Sequence, residues 1–148
     1  MSKIAVIIIA SISVMVPVLA QQSAQEEPSV RFAPLQLYVD SGSRSLAAYQ
    51  FELKATAGQI KIVGVEGGQH PAFAMPPYYD PAALSRDHVI LAAYNTGDEL
   101  PTGKTRVARV HVMVSGATPR YAVKLTVAAG PDGNEIDATA TAVGGAER

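Results

Sequence analysis

Three histidines, His70, His88 and His111, are the natural starting points for chemistry, because the chain has no cysteine to supply a thiolate. A zinc centre needs three or four ligands converging at about 2 Å. No two of these histidines stand at i, i+2 or i, i+4, so none pairs with another on one face of a local element. Serine, histidine and aspartate all occur, yet no Gly-x-Ser-x-Gly elbow exposes a nucleophile. Hydrolysis of a glycoside needs two carboxyl groups facing each other across about 5 to 10 Å. Glu52 and Glu66 fall in strand patterns, while Asp80, Asp87, Asp98 and Glu99 fall in loops, and nothing in the spacing makes any pair converge. The sequence therefore predicts no catalytic residue, no metal ligand and no cofactor, and a protein that binds rather than an enzyme.

Two further stretches carry binding chemistry. Asp132-Gly133-Asn134-Glu135 with Asp137 is rich in the oxygen ligands that calcium prefers. Its spacing does not fit an EF-hand, and Asp-Gly is a favoured hairpin turn in its own right. The second stretch, His70 to Tyr79 (HPAFAMPPYY), gathers Phe73, Met75, Tyr78 and Tyr79 around three prolines. Proline bars this segment from a central strand and stiffens it, so aromatic rings there are held ready at little entropic cost. Phe73, Tyr78 and Tyr79 are the candidate ligand-binding residues, with the two tyrosines stacking or hydrogen-bonding. The other reading of the same segment is a loop that folds back to cap the core.

The elements that would position these residues begin after a distinct leader. Met1 to Ala20 combines Lys3, an apolar run from Ile4 to Val16, the breaker Pro17 and a small-residue site at Val18-Leu19-Ala20. That is the build of a secretory signal peptide, and it predicts a periplasmic or secreted bacterial protein with no membrane association after cleavage. A retained anchor is the rival, but Ser11, Ser13 and Pro17 interrupt a run already short for a span of about 20 residues. Without Lys3, 11 basic residues face 13 acidic ones, a net charge of about −2 with no basic block. Nucleic acid is thereby excluded as the expected partner.

Residues 21–33 read as a flexible linker, 34–142 as one folded domain and 143–148 as a tail. Within the domain, short stretches alternate with turn residues. Leu35 to Val39, Ala47 to Lys54, Gln59 to Glu66 and Tyr121 to Val127 each alternate, which gives a strand one buried and one solvated row. In the third of these Gly64 marks a bulge, and in the last Val127 joins the inner row. His88 to Tyr94 is nearly continuous in its apolar character, as for a strand covered on both faces. Arg106 to Ser115 is the clearest strand, with Ala108, Val110, Val112 and Val114 facing in and Arg109, His111 and Met113 facing out. The turn at Gly130 to Asn134 predicts a hairpin with Ile136 to Thr141 as the returning strand. Asp80 could cap a short turn begun by Pro81. The expected fold is all-β, a two-sheet jelly-roll-like sandwich of about nine strands, with an open barrel as the alternative.

Three stretches resemble the cohesin domains of bacterial extracellular modules. They are Asp40-Ser41-Gly42 followed by Leu46 to Leu53, Leu100-Pro101-Thr102-Gly103-Lys104 leading into Val107 to Val112, and Tyr121 to Val127 with Asp132 to Ile136. Cohesins commonly carry a Tyr-Asp-Pro step soon after the second strand. Lys54 to Gly58 stands there instead, and Tyr79-Asp80-Pro81 occurs later. The resemblance spans about Leu35 to Ile136. It implies a nine-stranded sandwich, related in architecture to several carbohydrate-binding modules, whose flat strand face docks a partner protein. The expected docking face is Arg109, His111 and Met113. The runner-up is a carbohydrate-binding module that takes a polysaccharide on the Tyr78/Tyr79 loop, and an exposed edge strand leaves homodimerisation open.

Overall fold

A computed structural model describes residues 29–144. In chain order the elements are β1 (Val30–Asp40), β2 (Ala48–Gly67), β3 (His88–Tyr94), β4 (Lys104–Ala129) and β5 (Thr139–Gly144). Two 3-10 turns, Pro71–Phe73 and Pro81–Ala83, lie between β2 and β3. The strands form a single antiparallel sheet in the order β3-β2-β4-β1-β5. The domain is therefore all-β, with five strands where about nine were expected. Two pairs of expected strands are continuous: Ala47 to Lys54 runs into Gln59 to Glu66 as β2, and Arg106 to Ser115 runs into Tyr121 to Val127 as β4.

Residues that read as breaks are bends. The β2–β4 register shifts between Ala55 and Ala57 and again between Ala57 and Gln59, so the ladder kinks without ending. Gly58 sits at the kink with φ +78°, and a Cβ there would stand 2.8 Å from Pro119 Cα. Only glycine meets both conditions without strain. On one side of the kink lies what we term the β3 half, in which Ala48–Ala57 of β2 pair with β3 and with Arg120–Ala129 of β4. On the other lies the β1 half, in which Gln59–Gly67 pair with Ala108–Ser115 of β4, followed by β1 and β5.

The sheet curls back on itself. Tyr49 pairs with Ala128, yet its hydroxyl donates to the Val107 carbonyl at 3.1 Å. The 21 positions between Val107 and Ala128 would span about 70 Å along a straight strand at roughly 3.3 Å per residue. Closure of that distance brings the inner rows of the two halves into one core. Tyr49, Phe51, Leu53, Val89 and Leu91 come from one half, and Leu35, Leu37, Val39, Ile60, Ile62, Val110, Val112 and Val114 from the other. Each such side chain contributes about 1.5–3 kcal/mol when fully buried. Tyr49 stacks on Phe51 with centroids 5.5 Å apart and meets Phe73 edge-on at 5.2 Å.

Local departures from the sequence reading have local causes. β1 begins at Val30, inside the stretch expected as linker, because Val30 to Ala33 pair with Val112 to Ser115. Val127 faces outward because a bulge at Thr126 reverses the alternation between Leu125 and Val127. Only one face of β3 packs against the core, so Ile90 and Tyr94 are exposed on the face expected to be covered. The hairpin after β4 forms only as far as Ile136, whose N–H donates to Ala128. The chain then crosses to β1, where β5 covers an edge that β1 would otherwise leave open. Gly144, expected in the tail, pairs with Leu35. The bulge expected near Gly64 is present between Ile62 and Gly64, and Asp80 caps its turn by accepting from Ala82 N–H at 2.9 Å. The expected signal peptide, the rest of the linker and the last four residues lie outside the described residues.

Candidate functional site

Alternation along β4 turns Arg109, His111 and Met113 away from the core while Val110, Val112 and Val114 face in. The cross-strand register then decides their neighbours. Arg109 stands between Glu66 of β2 and Gln36 of β1; His111 between Gly64 and Pro34; Met113 between Lys61 and Phe32. Arg109 donates through Nη1 to Glu66 Oε2 at 3.3 Å and through Nε to Gln36 Oε1 at 3.3 Å. The same Gln36 oxygen accepts from Arg106 Nη1 at 3.1 Å. His111 Nε2 lies 3.0 Å from Glu66 Oε1, an ion-pair distance without an aligned hydrogen bond. Glu66 thus bridges Arg109 and His111, and Gln36 bridges Arg109 and Arg106. These contacts link side chains of three strands into one polar cluster on the outer face.

Beside this network the face is apolar. Phe32, directly opposite Met113, is 59 % exposed, and Val30, Val63 and Val143 are exposed as well. Further along, Lys104 places its Nζ 4.9 Å from the Tyr38 ring centroid, a cation–π contact. On this face Lys61, Lys104, Arg106 and Arg109 outnumber Asp40 and Glu66, in a chain whose overall charge is −1. The sequence pointed to three residues of β4 alone. Gln36, Glu66 and Phe32 were missed because they come from strands whose register with β4 cannot be read from alternation within one strand.

The aromatic segment is divided by the structure. Phe73 is 2 % exposed and belongs to the core, so its ring is not presented to solvent. The turn that buries it is fixed by His70 Nδ1, which accepts from Ala72 N–H at 3.2 Å, and by Asn95 Nδ2, which donates to the Ala72 carbonyl at 2.9 Å. Gly68 N–H also donates to the Phe73 carbonyl at 2.6 Å. Tyr79 is half-buried against the core. Tyr78 alone of the three is open, at 69 %. It exchanges two backbone hydrogen bonds with Ala92 of β3, at 2.7 and 3.0 Å, and so extends the sheet edge. Its ring lies nearly parallel to that of Tyr94, with 13° between planes and 6.3 Å between centroids, and Tyr94 is 66 % exposed. Tyr94 was hidden in a run that read as covered on both sides. Val89 to Ala93 are all apolar, so no alternation in the sequence could have marked Tyr94 as outward-facing.

The remaining candidates have local occupations. His88 Nδ1 contacts Asp87 Oδ1 at 3.0 Å, which holds the Asp87 carboxyl below the usual range. No serine hydroxyl hydrogen-bonds His88 among the described residues. Both Asp132 oxygens accept from Asn134, Oδ1 from its backbone N–H at 3.2 Å and Oδ2 from Nδ2 at 2.8 Å. Those bonds occupy the Asp132 carboxylate within the turn itself. Among the described residues no cluster of three or more metal-ligating side chains occurs. No protein-family model, no curated protein and no solved structure matches the chain.

Proposed function

We propose that this chain is an exported, cohesin-like binding module that docks a protein partner through the outer face of its β1 half. In this reading Met1 to Ala20 is a cleaved signal peptide, the protein works in the periplasm or outside the cell, and it performs no catalysis. The curled sheet serves as the two layers of a jelly-roll-like sandwich. The observation that carries the docking reading is Phe32: a large apolar ring, open to solvent, facing Met113 beside the Arg109–Glu66–His111 network. Aromatic residues, methionine and arginine are the types enriched in protein interfaces, and Phe32 shares this face with exposed Val30, Val63 and Val143, so the apolar surface is a patch and not a single ring. The excess of cations on the face selects a partner with an acidic surface.

The test is capture from the exporting cell's envelope fraction, followed by reconstitution with the purified captured protein. One partner should be held by the wild type, lost in Phe32→Ser and Arg109→Ala, and released as salt rises. Capture that is indifferent to both substitutions would refute the assignment of this face.

A further inference from the structure

We infer that the exposed edge of the β3 half, built on Tyr78 and Tyr94, is a carbohydrate site for a neutral pyranose chain. The site lies on the other half of the sheet from the proposed docking face and does not rest on it. Three observations carry it. First, the two rings are nearly parallel, both about two-thirds exposed, and fixed by the backbone: Tyr94 ends β3, and Tyr78 is held to β3 by its paired bonds with Ala92. The rings lie against each other on a face that also exposes Ile90 and Val127, and an exposed apolar surface of that kind marks a binding site.

Second, the floor beside them is flat. The cross-strand neighbours of Tyr94 run through Ala48 to Ala129, and those of Ala92 through Gln50 to Val127. Small side chains in the first row leave room for a ring to lie against the sheet. An open recess of about 240 Å³ adjoins Tyr94 there, continuing over Asn95, Thr96 and Gly130. That is below the roughly 300–1,000 Å³ of sites enclosing a drug-sized ligand, and suits a short segment of a longer chain.

Third, no charged side chain lines the recess, and both cross-strand rows are uncharged. The first charges on this face, Glu52 and Lys124, stand opposite each other one row beyond Gln50 and Val127 and are of opposite sign, so the recess offers a charged ligand no net counter-charge. What fits is a neutral molecule with an apolar ring face and a rim of hydroxyls. The negative face of a tyrosine ring attracts the polarised C–H groups on a pyranose face, while the phenol hydroxyls can hydrogen-bond its rim. Tyr79, half-buried against the core, is not part of this surface.

The experiment is affinity electrophoresis of the chain, expressed from Met1 and purified, in gels containing soluble β-glucan, xyloglucan, galactomannan or alginate. At least one neutral polysaccharide should retard it, and alginate should not. Tyr78→Ala and Tyr94→Ala should each weaken retardation by about three- to tenfold, the usual range for losing one aromatic contact. Tyr78→Phe and Tyr94→Phe should keep most of it, which separates ring contact from folding. Arg109→Ala should leave retardation unchanged. The inference is overturned if no neutral polysaccharide retards the chain, if alginate alone does, or if the alanine variants run as the wild type.

Discussion

Tyr49→Phe removes one oxygen atom from the core and with it the hydrogen bond that joins the two halves of the curled sheet, 3.1 Å to the Val107 carbonyl. The ring packing against Phe51 and Phe73 is preserved, so the change isolates the polar contact. Loss of a buried hydroxyl–carbonyl bond costs about 1–2 kcal/mol. With a urea m-value of about 2 kcal/mol/M, the unfolding midpoint should fall by about 0.5–1 M at pH 7. The pH dependence gives a second handle. Burial pushes the Tyr49 hydroxyl well above its ordinary value of 10.0. The folded chain therefore keeps this proton above pH 10 while the unfolded chain releases it, so the stability conferred by a neutral buried Tyr49 is complete below pH 10 and is lost as pH rises beyond it. At pH 11 the loss from this group is on the order of 1 kcal/mol, and phenylalanine, having no proton to lose, escapes it. Equilibrium urea unfolding at pH 8 and pH 11 should show the gap between wild type and variant shrinking at the higher pH. A variant as stable as the wild type at pH 8, or a gap unchanged at pH 11, would refute the claim that this bond closes the core.

Other outcomes follow from particular residues. Gly58→Ala should destabilise by about 1–3 kcal/mol in urea unfolding, because positive φ and the approach of Pro119 both oppose a side chain. Gly42→Ala, at φ +58° but in open space, should cost only about 1–2 kcal/mol by the same assay. Hydrogen bonds from Asn134 hold the Asp132 carboxyl below its ordinary value of 3.8. The stability it contributes is present above that value and lost as pH falls, so Asp132→Ala should lower the thermal midpoint at pH 7 and have less effect near pH 3. Calcium added to the wild type should leave that midpoint unmoved. Phe32→Ser should change stability by no more than about 0.5 kcal/mol, as befits an exposed position, while weakening partner capture.

What could be read in the sequence was whatever depends on period two alone. The inner rows Leu35-Leu37-Val39, Tyr49-Phe51-Leu53 and Val110-Val112-Val114 are buried as alternation required, and Arg109 and His111 face outward for the same reason. Continuity was not legible. Gly58, Gly116 and Pro119 have the composition of turns, and only the long-range pairing of β2 with β4 makes them bends within a ladder. Bulges had the same effect on a smaller scale, since one extra residue at Thr126 turned Val127 outward. The aromatic segment showed two opposite behaviours in ten residues. Phe73 closes the core as the cap reading allowed, whereas Tyr78 reaches β3 and finds a partner, Tyr94, that no local pattern in the segment could announce. The docking network was half legible for the same reason: Arg109 and His111 announce themselves by alternation, but Glu66 and Gln36 join them only through register.

The most direct test of the docking face is to place a photocrosslinking phenylalanine analogue at position 32, and separately at Ile90, exposed on the β3 half. Irradiation in the envelope fraction should yield one discrete adduct from position 32 and none of that mass from position 90. The adduct should disappear when Arg109→Ala is added. The same adduct from position 90, or none from position 32, would contradict a partner seated on Phe32, Arg109 and His111.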